Sequence, residues 1–257
     1  MPYLRFASQT FTNGGNHIDH IFTRRSFNEG GKHIDHIKHM IRNIIFDFGN
    51  VLFDLDLAAF EREMKILLGE NFIAAREKLL RERVFELYET GGLSTDEFVE
   101  KLCQASEPAL APEQVIAAWN AIFIGMPKHR FELLIRLRQR YKVFLLSNIN
   151  DLHERWIVDY MLREHGLVEY ESLHFDGVYF SHLIRLRKPT REAFEYVLAD
   201  AEILPEQTVF FDDLPENVEA ANQVGIQGVW HEPGTEIEER LAGMRLLPPF
   251  ESAHQQV

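Results

Sequence analysis

The chain has 257 residues, 46% of them hydrophobic and 26% charged, with 27 basic and 40 acidic side chains for a formal charge of −13. That composition excludes a disordered chain, a collagen and a small disulfide scaffold, and the length suffices for one large domain or a core with an insert. The acidic balance argues against nucleic acid as a partner, since a backbone binder shows a basic face, but it leaves small anions open because local charge decides those.

In chain order, residues 1–39 stand apart: they carry a net charge of +2 against −15 for the rest, and five of the twelve histidines (His17, His20, His33, His36 and His39). The cause is a duplication, FTNGGNHIDHIF at 11–22 and FNEGGKHIDHIK at 27–38. Two copies of H-I-D-H admit a metal- or pH-sensing tag, but two repeats are too few to stack as a solenoid. The leader is expected to be a poorly ordered extension. Met40 stands directly before a strand-like run, so translation from it would yield the whole working domain.

The run Ile44–Phe46 ends in Asp47 and a glycine-containing turn, the pattern of a buried parallel strand. About 75 residues without a strand signal follow. Leu57, Phe60, Met64 and Leu67 mark one helix face, and Leu80, Val84 and Leu87 another. Ser94 and Glu97 form a capping box, and Pro112 opens a helix bearing Val115, Trp119, Ile122 and Phe123. This is too much for a βα loop, so residues 57–126 are expected to be a small all-helical domain inserted after the first strand. The core then comprises 40–56 and 127–257. Within it, VFLLSNIN at 143–150 and TVFFDDLPENVEAA at 208–221 repeat the strand-then-polar pattern, each preceded by a helical stretch. Alternating strands and helices imply a doubly wound α/β fold with a parallel sheet. Ligands of such sheets sit beyond the carboxyl ends of the strands. Asp47, Ser147, Asn148, Asp212 and Asp213 are therefore expected to converge on one site.

A lone strand-end aspartate such as Asp47 is ordinarily a turn cap. Three carboxylates in one cleft, however, repel one another unless a cation sits among them, and oxygen ligands suit Mg²⁺. Pro189 keeps Lys188 out of the helix that follows. A lysine beside a strand-end hydroxyl and amide makes an anion site, with backbone N–H groups adding to it. The single cysteine, Cys103, fits a reducing cytoplasm and a buried structural role. No apolar run approaches the roughly 20 residues of a membrane span, and the first residues lack a secretory signal.

The ordered set FDFGNVL, LLSN, RKP and FFDDLPEN resembles the four motifs of the haloacid dehalogenase superfamily, over nearly all of residues 40–233. YETGGLSTDEF and LSNINDLH make it similar to the α-D-glucose-1-phosphate phosphatase branch. The resemblance implies a Rossmann-like core with a helical cap. Asp47 would be the nucleophile that forms an aspartyl-phosphate, and Ser147, Asn148 and Lys188 would hold the phosphoryl oxygens. Asp47, the Gly49 carbonyl, Asp212 and Asp213 would bind Mg²⁺. Asn217 is either a further metal-loop residue or a helix-start residue.

The sequence departs from the superfamily pattern at Gly49, where most of its phosphatases carry a second aspartate as general acid and base. The glucose-1-phosphate branch shares this glycine. An anomeric oxygen leaves more easily than an ordinary alkoxide, so sugar 1-phosphates are expected to suffer least from the missing acid. Asp54 either substitutes through water or shapes the entrance. His153 is expected at a helix start or in packing, and Trp119 and Phe123 either line substrate or fill the insert's core. The expected function is a cytoplasmic Mg²⁺-dependent phosphatase of a small phosphorylated metabolite. Its rivals are a non-catalytic phosphosugar-binding protein and a metal-independent 2-haloacid dehalogenase.

Overall fold

The computed structural model describes residues 40–105 and 108–247, and the duplicated leader lies outside the described residues. Strand β1 (Asn43–Phe46) is completely buried. It forms the centre of a five-stranded sheet with β4 (Lys142–Ser147), β5 (Gly177–Phe180), β6 (Thr208–Asp212) and β7 (Gln227–Trp230), in the order β5-β4-β1-β6-β7. All neighbours in this sheet run parallel.

Alternation along the three central strands divides the core in two, because successive side chains point to opposite faces. Ile44 and Phe46 align with Val143 and Leu145 on one side and with Val209 and Phe211 on the other. These face Leu134 and Leu137 of α6 (Lys128–Arg138), Ile157 and Met161 of α7 (Asp151–His165), and Ile237 and Leu241 of α12 (Ile237–Gly243). Ile45, Phe144 and Phe210 face the other way, onto Phe194 and Val197 of α10 (Arg191–Asp200) and Ala220 and Ala221 of α11 (Pro215–Gln223). Burial on both faces explains why the strands read as unbroken apolar runs. Each enclosed Ile, Leu or Phe contributes about 1.5–3 kcal/mol. Two short helices, α8 (Tyr170–His174) and α9 (Ser181–Ile184), flank β5. The fold is the expected doubly wound α/β sheet. Three of its strands coincide with the apolar runs of the sequence; β5 and β7, as short as β1 but only partly buried, do not stand out.

Among the described residues, the segment between β1 and β4 holds five α-helices before α6, namely α1 (Ala59–Leu68), α2 (Phe72–Arg81), α3 (Val84–Glu89), α4 (Thr95–Cys103) and α5 (Pro112–Asn120), with a 3-10 turn at Gly69–Asn71 between the first two. It also contains two strands that its residues did not suggest. β2 (Asp54–Leu55) pairs antiparallel with β3 (Phe123–Gly125), so the chain leaves and re-enters the core through a two-stranded ribbon. Elements of two and three residues show no alternation, and their pairing is made by tertiary contact alone.

The helix faces also differ in part. Leu87 is 38% exposed, while Val84, Phe85 and Tyr88 are buried. Arg83, in the left-handed conformation with φ 53°, ends one helix and re-phases the next, so Leu80 and Leu87 do not share a face. The capping box of α4 is present, with Ser94 N donating to Glu97 Oε2 at 2.8 Å and Glu97 N to Ser94 Oγ at 3.3 Å. Trp119 packs against Phe60, Phe85 and Phe98 at the centre of the helical insertion. Cys103 is buried and free. No helix among the described residues is long and apolar enough to cross a membrane.

Candidate active site

The chain proceeds from β1 to β4 and β5 on one side of the sheet and then crosses to β6 and β7 on the other. The β1 and β6 loops therefore diverge at their carboxyl ends, and the crevice between them is where a doubly wound sheet accepts ligands. Asp47 follows β1 directly, and its N–H donates to the Phe211 carbonyl at 2.8 Å. Asp212 ends β6 and Asp213 follows. One carboxylate oxygen from each of Asp47, Asp212 and Asp213 lies within 4.8 Å of the others.

Lys188 reaches this cluster from the turn before α10. Its Nζ lies 2.7 Å from Asp47 Oδ1 and 2.6 Å from Asp212 Oδ2, and the side chain is 1% exposed. The ammonium also sits over the Phe210 ring, 5.3 Å from its centroid. Asn148 fixes the lysine's backbone in both directions: Lys188 N donates to Asn148 Oδ1 and Asn148 Nδ2 donates to the Lys188 carbonyl, each at 2.9 Å. The Asn148 side chain is thus spent on the lysine peptide. Ser147, at the end of β4, is buried, and its hydroxyl has no hydrogen-bond partner among the described residues.

The two β6 carboxylates are held differently. Asp212 accepts from Leu214 N at 2.8 Å and from Asn217 Nδ2 at 2.9 and 3.0 Å, besides Lys188. Its lone pairs are largely occupied, and Asn217 serves as its brace. Asp213 accepts from Asn50 Nδ2 at 3.0 Å through one oxygen. Asn50 is in the left-handed region, φ 55°, which turns the chain after Phe48–Gly49 and aims its amide back at Asp213. Trp230 Nε1 donates to the Asp213 carbonyl at 2.9 Å from the end of β7. Asn50 lies within the FDFGNVL run and Trp230 in no motif, and neither residue's pairing with Asp213 has a local sequence signature, because each reaches it from another strand or turn. Asp54 is engaged elsewhere: it pairs with Arg130 at 2.7 Å, and the same guanidinium holds the Leu52 carbonyl at 2.9 Å and Glu236. That places Asp54 in the bracing of the β2 turn.

The electrostatics follow from three acids sharing one base. Burial pushes the Asp212 carboxyl up to about 6, with Lys188 opposing the shift. Burial likewise carries Asp213 to about 6, against the Asn50 hydrogen bond. Asp47 is raised by its burial, which Lys188 partly offsets and Asp213 reinforces. Burial works against the Lys188 ammonium, yet Asp212 and Asp47 outweigh it and hold its pKa above the ordinary lysine value. Two buried carboxylates and a half-buried third around one ammonium leave negative charge uncompensated, and an all-oxygen donor set fits a hard divalent cation. The Gly49 carbonyl lies on the same turn, two residues beyond Asp47.

His153 and Trp119 stand outside this cluster. His153 is 8% exposed and stacks on Trp119 with ring centroids 4.8 Å apart. Its Nε2 donates to the Trp119 carbonyl, while Nδ1 accepts from Asn150. Asn150 Oδ1 in turn accepts from Trp119 Nε1 at 3.2 Å. Phe123 stacks on Trp156 at 4.4 Å. These rings join the helical insertion to α7.

Comparison with known proteins agrees with this geometry. D-ribitol-5-phosphate phosphatase of Bacteroides thetaiotaomicron is 29% identical over 205 residues, covering 79% of this chain and 97% of that protein. A sesquiterpene phosphatase of Aspergillus oryzae is 30% identical over 190 residues, covering 72% and 87% respectively. The crystal structure of a HAD family enzyme from Bacteroides thetaiotaomicron, in complex with magnesium and inorganic phosphate, shares 29% identity at a TM-score of 0.70. It covers 78% of this chain and 98% of its own. The sequence model of the haloacid dehalogenase-like hydrolases matches residues 41–225, which span the Asp47 turn, the helical insertion, Lys188 and the β6 carboxylates. On that match and this fold, the chain belongs to the haloacid dehalogenase-like hydrolase family.

Proposed function

We propose that the protein is a magnesium-dependent phosphatase of a small phosphorylated metabolite, a sugar phosphate such as glucose 1-phosphate, acting through Asp47. The observation that carries this reading is the buried Asp47–Lys188–Asp212 chain with Asp213 beside it, an anionic cluster too negative for its one lysine. The two phosphatase relatives and the magnesium–phosphate complex of a third protein support it.

In this reading the Asp47 carboxylate attacks phosphorus and the ester P–O bond breaks. The leaving oxygen takes a proton from water, and a second water hydrolyses the aspartyl-phosphate to inorganic phosphate. Lys188 balances charge on the phosphoryl oxygens, and the Ser147 hydroxyl donates to one of them. Asn148 acts by holding the Lys188 peptide. Asp47, Asp213 and the Gly49 carbonyl, with Asp212 beside them, are the groups that would hold Mg²⁺, whose charge would shield the approach of carboxylate to phosphate. Residues 57–126 serve as the cap over the site, within a core formed by 40–56 and 127–257. The enzyme is assigned to the cytoplasm, where phosphorylated metabolites are found and Cys103 stays reduced.

Gly49 supports 1-phosphates as the favoured esters, whereas the ribitol-5-phosphate relative supports a primary-alcohol ester. Phosphate release from a panel holding both kinds, with Mg²⁺ and with Asp47→Asn as control, tests the reading. Release by the wild type alone is expected, faster on sugar 1-phosphates than on 5- or 6-phosphates. Equal rates would remove the leaving-group explanation. No release above Asp47→Asn would favour a binding protein, and metal-independent halide release a dehalogenase.

A further inference from the structure

Glu89 is a buried acid that the reaction above does not use. It ends α3 with 6% of its surface exposed, and its Oε2 lies 3.0 Å from Arg187 Nη2. Both side chains are nearly enclosed, at 8% and 11% exposure. Burial pushes the Glu89 carboxyl up to about 7, and Arg187 pulls it back only in part. Arg187 Nε and Nη2 are buried without a hydrogen bond to any described residue, so the ion pair is the main compensation for that guanidinium. A pair desolvated to this degree is a poor source of stability, and its best-attested use is to set register between two elements.

The two elements here are the cap and the lysine turn. Arg187 is covalently next to Lys188, whose N–H and C=O are both clamped by Asn148. The Arg187 carbonyl is itself held by Thr190, from N at 3.0 Å and Oγ1 at 2.7 Å. With its own carbonyl and the next peptide held in one rigid turn, Arg187 and Lys188 are positioned as a unit, so the point at which Glu89 anchors the Arg187 side chain helps to set where that unit sits. On the cap side the same turn is seated at further points. Tyr88 Oη accepts from Leu152 N at 3.0 Å, satisfying one of the free N–H groups that open α7. Thr95 Oγ1 donates to Asp151. Gly91, at φ +66°, lies so close to the core that a Cβ there would stand 2.6 Å from the His182 carbonyl oxygen, so this approach requires glycine.

We propose that the Glu89–Arg187 pair is the joint through which the seated cap sets the position of Lys188, making both side chains positioning residues for phosphoryl transfer. The inference rests on the phosphatase reading above. It assigns the cap a part in building the phosphate site as well as covering it.

The test compares wild type, Glu89→Gln, Arg187→Gln and the exchanged pair Glu89→Arg with Arg187→Glu, in the full chain with Mg²⁺. The substrates are p-nitrophenyl phosphate and glucose 1-phosphate, and orthovanadate serves as a mimic of the five-coordinate transition state. Each single variant is expected to lose at least tenfold in kcat/KM, and its vanadate inhibition constant should rise by a similar factor, as transition-state complementarity requires. The exchanged pair should recover part of both losses. A purely structural pair would lower the fraction of folded enzyme while leaving the vanadate constant of what remains unchanged, and that result overturns the proposal. Glu89→Asp keeps the charge and shortens the reach, so it carries the test where Glu89→Gln does not fold. Wild-type kinetics and vanadate affinity in Glu89→Asp would then overturn it. Wild-type protein that neither releases phosphate nor binds vanadate refutes the phosphatase reading. Active wild type with unaffected variants refutes this inference alone.

Discussion

Acid is expected to loosen the junction between cap and core through His153. The imidazole is enclosed between Trp119 and α7, and burial lowers its pKa to about 3 from an ordinary 6.5, with the Trp119 carbonyl opposing. Its contacts explain why the neutral ring is preferred: Nδ1 faces the Asn150 amide N–H, where a second proton would meet a donor. A histidine whose folded pKa lies below its unfolded value contributes stability that is present above pH 6.5 and is lost as pH falls toward 3. Each unit corresponds to about 1.4 kcal/mol, so the whole window carries about 5 kcal/mol, of which about 2.5 kcal/mol is gone by pH 4.5. Asp47, Asp212, Asp213 and Glu89, whose folded pKa values are raised, act in the opposite sense and gain relative stability on acidification. The raw pH curve therefore mixes both signs. Subtracting the curve of His153→Gln isolates the histidine. Urea unfolding should find the variant about 1–3 kcal/mol less stable at pH 7, for the lost stack and acceptor. That gap should shrink or reverse by about 2.5 kcal/mol at pH 4.5. A gap that stays constant from pH 7 to 4.5 would refute the reasoning.

Trp230→Phe removes the indole donor from the Asp213 carbonyl. A hydrogen bond of about 0.5–1.5 kcal/mol predicts a weakening of Mg²⁺ affinity by about 2- to 12-fold, read as the metal concentration for half-maximal turnover; an unchanged value would show that Asp213 is held without it. Arg130→Met strips the Leu52 carbonyl of its donor and frees Asp54 and Glu236, which are both about 40% exposed and rehydrate. The expected destabilisation is about 1–3 kcal/mol, measured by urea unfolding, and stability equal to wild type would contradict the bracing role. Gly49→Asp is expected to restore a proton donor, raising rates on sugar 6-phosphates relative to 1-phosphates by at most the roughly 10²–10⁴-fold that general acid catalysis supplies. A fall on both esters alike would argue that the turn cannot accept the side chain.

The convergence of Asp47, Lys188, Asp212 and Asp213 was legible because each follows a buried apolar strand or stands before a proline that precedes a helix, patterns that topology translates into position. The short strands β2, β3, β5 and β7 were not, since, unlike the four-residue β1, none is buried along its whole length and each is stabilised by its neighbour. The turn at Arg83 escaped for a related reason: arginine has no special preference for the left-handed region, so the break that exposes Leu87 has no local signature.

Local pattern thus sufficed for the parallel sheet, the helical insertion and the carboxylates at the strand ends, because burial on two faces and strand-end polarity are written into consecutive residues. The partners of those carboxylates needed the folded chain. Asn148 serves the Lys188 peptide, Asn217 braces Asp212, Asn50 and Trp230 hold Asp213, and Arg130 pairs with Asp54. Hydrogen bonds between residues far apart in the chain depend on register and crossover geometry, which emerge only once the sheet is assembled and its loops converge.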